Sequence, residues 1–169
     1  MKSKFVQYYV EGEDEKKIIN VLKSDLKVIS PGKVQKLNVV TQKITDMRLR
    51  TLALGTMVVF VFDTDRGEVD MLKENIEIVK ACPSVSEIIL IPQVPNIEGE
   101  LVRSCDIKKI EDLLNSKSRH EFKSDLIRVS NLDKKLLEHQ FDIKLFWCGI
   151  PAPPYQDIDN RAAKVKIVK

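Results

Sequence analysis

The chain has 169 residues, 43% of them hydrophobic and 31% charged, with a formal net charge of +3. That length suits one hydrophobic core, and no window approaches the run of about 18 apolar residues that a membrane span needs. A charge of +3 settles nothing about polyanionic partners, because phosphate affinity comes from clustered surface charge rather than from the total. Cys82, Cys105 and Cys148 are odd in number and far apart. They offer neither a disulfide framework nor a CxxC knuckle and are expected to be small buried hydrophobes. His120 and His139 fall in no HxxxH or HExxH spacing, which argues against a zinc site or a histidine triad.

Met1 to Lys4 bring a basic residue or two, but only the six largely apolar positions Phe5 to Val10 follow. That run is too short for a signal-peptide core, so the expected location is the cytoplasm, with no membrane partner. Phe5 to Val10 itself is rich in β-branched and aromatic residues and stops at Glu11-Gly12, the pattern of a short buried strand ending in a turn. From Glu13 to Leu26, the spacing of Ile18, Ile19, Leu22 and Leu26 predicts an amphipathic helix, with Glu13, Asp14 and Glu15 in its first turn. Pro31-Gly32 breaks the chain, Val34 to Val40 reads as a second strand, and Thr45 to Leu52 reads as a short helix.

Met57 to Phe62 is the most hydrophobic run and shows no alternation, as expected of a central parallel strand covered on both faces; it ends at Asp63. Glu68 to Lys80 carries a helical stripe of Val69, Leu72, Ile76 and Val79, and Glu87 to Val94 is another apolar strand. This alternation predicts an α/β fold, a mostly parallel central sheet with helices on both faces. Beyond Pro95 the spacing turns helical, including a Ser118-x-x-Glu121 capping box, and gives a helical C-terminal extension. Phe141 to Trp147 reads as either helix or strand. The basic tail with Arg161, Lys164, Lys166 and Lys169 reads as either a mobile end or an added edge strand.

In open parallel sheets, functional groups gather at the carboxyl ends of strands. Glu11, Asp63 and Asp65 all fall there. If the strands they end are neighbours, these carboxylates face one point, where hard oxygen donors suit a divalent cation and mutual repulsion calls for one. Glu13, Asp14 and Glu15 either extend such a site, Glu15 foremost, or simply answer the helix dipole. Asn96-x-Glu98-x-Glu100 either caps a helix or brings Glu98 to a second metal. Arg66 either clamps a phosphate oxygen or makes a surface ion pair, and Lys33 in Pro31-Gly32-Lys33 either approaches a phosphate backbone or lies in an ordinary turn.

Two segments, Tyr8-Tyr9-Val10-Glu11-Gly12-Glu13 and Val59-Phe60-Val61-Phe62-Asp63-Thr64-Asp65-Arg66-Gly67, stand about fifty residues apart. Together they resemble the strand-Glu-Gly and strand-Asp-x-Asp motifs of the Toprim family, the domain shared by topoisomerases, bacterial primases, small ribonuclease maturases and overcoming-lysogenization-defect nucleases. The resemblance implies a Toprim-like core over residues 1–95, a helical extension over 96–148 on the same core, and a Pro-rich segment with a basic tail over 149–169. It further implies that Glu11 is a metal ligand or general acid/base and that Asp63 and Asp65 bind magnesium or manganese. The chemistry it implies is hydrolysis of phosphodiester bonds in DNA or RNA, and small standalone relatives make phage defence a plausible setting.

Gly67, two residues after Asp65, departs from the spacing common in maturase-like and primase-like members and leaves the subfamily open. No GxxxxGK[ST] loop is present, so any ATPase partner, or other complex subunit, is a separate chain. Two other functions compete: a non-catalytic subunit that docks through a bound metal, and a haloacid-dehalogenase-like phosphatase, whose Asp-x-Asp also follows an apolar strand. Arg66-Gly67 and the central position of the motif suit the phosphatase poorly.

Overall fold

Residues 5–168 are described by a computed structural model; Met1 to Lys4 of the basic start and Lys169 of the basic tail lie outside the described residues. Four strands form the sheet: β1 (Phe5–Val10), β2 (Lys33–Lys36), β3 (Thr56–Asp63) and β4 (Val85–Gln93). They run in the order β2-β1-β3-β4, and every pairing is parallel. The chain leaves β1 for β2 on one side and later places β3 on the other, so the order reverses between β1 and β3. A reversal of this kind opens a crevice at the strands' carboxyl ends.

The unbroken apolar character of β3 has a direct cause. Val59 and Val61 face a core shared with Tyr8, Val10, Ile89 and Ile91, while Val58, Phe60 and Phe62 face a second core with Tyr9. Both faces are therefore covered, and each fully buried large side chain contributes about 1.5–3 kcal/mol. The first core takes Ile18 and Ile19 of α1 (Glu13–Asn20), Leu101 of α4 (Ile97–Ser104) and Leu113 of α5 (Glu111–Leu114). It also takes Phe122 and Leu126 of α6 (Arg119–Arg128) and Leu136 of α7 (Leu132–Glu138). The second core takes Leu49 of α2 (Asp46–Arg50) and Leu72 and Val79 of α3 (Asp70–Lys80). Tyr8 and Tyr9, adjacent in sequence, are thus buried on opposite faces.

Several elements differ from expectation. The first helix widens into a π-helical turn at Val21–Asp25 and ends where Lys27 adopts a left-handed backbone, φ 56°. Gly32 then passes so close to β1 that a Cβ would lie 2.5 Å from the Val6 carbonyl oxygen, which only glycine permits. The second strand stops at Lys36 rather than Val40: Leu37, Val39 and Val40 plug the second core from a loop. Phe141 to Trp147 is neither helix nor strand but a series of turns, with Phe146 and Trp147 buried. The cysteines are not the buried hydrophobes expected, since Cys82 and Cys105 are half-buried and Cys148, in a turn, is exposed.

The C-terminal segment packs on the fold. Ala162–Lys164 form a 3-10 turn, Val165 is buried, and Ile29 and Lys166 make an antiparallel bridge. No helix among the described residues is long and apolar enough to cross a membrane.

Candidate metal centre

β1 and β3 run side by side from Phe5 against Thr56 to Tyr9 against Phe60, so both deliver their ends to the same side of the sheet. Glu11 follows β1 directly, and Asp63 is the last residue of β3. Gly12 stands at the N-cap of α1, and its backbone N–H donates to Glu15 Oε2 at 3.1 Å, which folds the Glu15 side chain back over the helix start. The outcome is a cluster in which Glu11, Glu15 and Asp63 each offer a carboxylate oxygen, all within 4.8 Å of one another. Glu15 is buried; the other two are half-buried.

Burial first, and then the charges of Glu11 and Glu15, push the Asp63 carboxyl far above the usual carboxylate range, with a hydrogen bond from Gln93 opposing them. Burial likewise raises Glu15 to about 7; its own backbone N–H and that of Gly12 oppose the rise, while Glu11 and Asp14 add to it. No lysine or arginine forms an ion pair with any of the three among the described residues. Three hard oxygen donors, mutually repelling and without a protein cation, fit a magnesium or manganese ion in donor type and in charge.

The cluster floors a cleft of about 950 Å³ whose walls include Asn38, Asp65, Arg66, Glu98, Arg119 and Lys123. Asp65 lies on the rim, exposed and outside the three-carboxylate cluster. The cause is Thr64 between the two aspartates: its N–H donates to the Gln93 and Pro95 carbonyls at 3.2 and 2.8 Å, and its hydroxyl to the Gln93 carbonyl at 2.8 Å. This turns the chain after Asp63. Arg66 is exposed beside Asp65 and lines the cleft.

Glu98 is buried at the cleft wall, where Oε2 accepts from Arg119 Nε at 2.8 Å and Oε1 has no hydrogen-bond partner among the described residues. Asn96 caps α4 by accepting from the Gly99 N–H at 3.0 Å, so the segment serves as a helix cap and also lines the cleft. Glu100, itself fully buried, turns away and pairs with the half-buried Arg103. Glu13 pairs with Lys36 at 2.5 Å. Lys33 opens β2 at the opposite end of the sheet and borders a separate hollow with Phe5 and Thr56; the structure does not bring it to the cleft.

Two groups of residues at the site escaped sequence reasoning. Gln93, opposite Asp63 in the β3/β4 register, donates from Nε2 to Asp63 Oδ1 at 2.8 Å. A polar residue ending an otherwise apolar strand was the available signal. Arg119, His120 and Lys123 line the cleft from α6, and nothing in their spacing distinguishes them from a solvated helix face.

Comparison with models of known protein families, with curated proteins and with solved structures finds no match to this chain.

Proposed function

We propose that the chain is a magnesium- or manganese-dependent nuclease of Toprim type that hydrolyses phosphodiester bonds in DNA or RNA. The observation that carries this reading is the gathering of Glu11, Glu15 and Asp63 at the reversal point of a parallel sheet, with no lysine or arginine ion-paired to them among the described residues. When bound there, a divalent ion would supply charge neutralisation at the reacting phosphate and an activated, oriented water. Glu15 and Asp63 would hold the ion. Glu11, half-buried beside them, would share in holding it and would take a proton from the attacking water as the water oxygen bonds to phosphorus and the bond to the leaving oxygen breaks, that oxygen taking a proton from solvent.

Arg66, Arg119 and Lys123 line the cleft and offer cationic contacts for flanking phosphates, Arg119 from its pairing with Glu98. Carboxylates nonetheless outnumber bases along the cleft, so binding of a polyanion is expected to depend on metal loading. Cytoplasmic location belongs to this proposal, and three free cysteines are in keeping with a reducing compartment. A separate ATPase or other complex subunit and a setting in phage defence also belong to it.

Labelled single-stranded and double-stranded DNA and RNA, incubated with magnesium or manganese, test the reading. Cleavage is expected for the wild type, with a loss of at least about 100-fold in Glu11→Gln and none left in EDTA. Metal binding without cleavage of any substrate would favour the rival reading, a docking subunit that uses the same cleft without catalysis.

A second expectation concerns pH. Glu15 titrates near 4.5 in the unfolded chain and near 7 in the fold, so between these values the native state holds a proton that the unfolded state has lost. Stability from this group is therefore full below about 4.5 and falls as pH rises toward 7. In EDTA, melting temperature is expected to rise on acidification from pH 7 to 5.5; saturating magnesium should flatten the slope by replacing the proton. Identical slopes with and without magnesium in scanning calorimetry would count against metal binding at Glu15.

A further inference from the structure

We propose that Gln93 and Trp147 are positioning residues for Asp63, forming a hydrogen-bond relay whose direction is set by the indole and which holds the carboxylate oriented toward the metal. The inference rests on the metal reading above. Gln93 is fully buried at the end of β4, and Trp147 is 1% exposed in the turns that follow α7. Trp147 Nε1 donates to Gln93 Oε1 at 3.1 Å, and Gln93 Nε2 donates to Asp63 Oδ1 at 2.8 Å.

The direction follows from donor chemistry. The two ends of a glutamine amide have nearly the same shape but opposite hydrogen-bonding character, so an isolated amide can face either way. An indole N–H can only donate. With Trp147 on one side, the amide oxygen must face the indole and the NH2 must face Asp63. The reverse orientation would set two donors against each other and a carbonyl against a carboxylate, in a place where water cannot substitute. One oxygen of Asp63 is thereby tied down, and rotation of the whole carboxylate is restricted. Trp147 is itself held: its backbone is left-handed at φ 58°, its carbonyl accepts from Asn160 Nδ2 at 2.9 Å, and its ring lies 4.7 Å from that of Phe146.

Trp147 is the single tryptophan of the chain, so its emission reports on the relay directly. Manganese affinity is measured by electron paramagnetic resonance, and tryptophan emission is followed during magnesium titration. Gln93→Met keeps the volume without polar atoms and is expected to weaken manganese binding about 10-fold, the usual scale for a residue that orients a ligand. Trp147→Phe should shift affinity in the same direction by less. In the wild type, magnesium should change Trp147 emission with the midpoint at which it displaces manganese; in Gln93→Met, at magnesium concentrations saturating the variant, that change should vanish.

A purely structural glutamine would not couple emission to metal. Unchanged manganese affinity in Gln93→Met, or wild-type emission indifferent to magnesium while manganese binds, overturns the relay. If Trp147→Phe does not fold, Gln93→Met decides alone. Failure of the wild type to bind manganese at all would instead sink the metal centre, and the relay with it.

Discussion

Asp63→Asn is expected to remove metal-dependent cleavage and yet to raise the melting temperature measured in EDTA. The loss should be at least about 100-fold, because a neutral amide replaces an anionic ligand beside Glu11 and Glu15. The gain has the same origin. In the metal-free fold, burial and two neighbouring carboxylates oppose a charge on Asp63, so folding at neutral pH obliges it to take up a proton that the unfolded chain does not carry. Asparagine needs no proton and still offers Gln93 an acceptor oxygen. A stabilisation of about 1–3 kcal/mol follows, or roughly 3–8 °C for a chain of this size. Cleavage assays with magnesium or manganese check the loss, and calorimetry in EDTA checks the gain. A variant that melts lower than the wild type in EDTA would show that the carboxylate at 63 stabilises the fold rather than straining it.

Asn75→Leu should do the opposite: a large loss of stability with the three-carboxylate cluster untouched. Asn75 is fully buried on α3, and its amide satisfies three backbone groups of the loop between β2 and α2. Nδ2 donates to the Val39 and Gln42 carbonyls, each at 2.8 Å, and Oδ1 accepts from the Ile44 N–H at 2.8 Å. Leucine fills much the same space but leaves those groups without partners, each at about 1–3 kcal/mol when buried. Allowing for partial rearrangement, a loss of about 3–5 kcal/mol is expected, near 10–15 °C in melting temperature. Denaturant titration measures it, and manganese affinity of the remaining folded protein should stay within about 3-fold of wild type, since Asn75 contacts none of the carboxylates. A shift under 1 kcal/mol would mean that the loop has another way to satisfy its backbone.

The strand ends were legible because apolar β-branched runs stop abruptly at acids: Val10 gives way to Glu11, and Phe62 to Asp63. That transition marks both the edge of the cores and the floor of the cleft. Glu15 was ambiguous for a physical reason, since an acid in a first helical turn suits the dipole whether or not it meets anything else; here it both caps α1 through Gly12 and joins the cluster. Asp65 was expected to converge with Asp63, but alternation along a strand stops being informative where the strand stops. Thr64, bonded to the end of β4, turns the chain there. The overlong second strand has a similar cause. Val39 and Val40 are as apolar as strand residues because they fill a core, and the carbonyl of Val39 finds its partner in Asn75 rather than in a neighbouring strand. Such long-range substitutions leave no local mark in the sequence.

The Gln93–Trp147 contact spans 54 residues, and the Asn160 bond to Trp147 lies further on still. During synthesis, a nascent chain that has emerged only through β4 already carries Glu11, Glu15 and Asp63, but has neither the indole that orients Gln93 nor Tyr155, whose hydroxyl donates to the Glu68 carbonyl beyond β3 at 2.9 Å. Domains generally fold as units during synthesis. The acids are therefore translated early, and the unit that carries them closes only once the residues around Trp147 and Tyr155 have emerged.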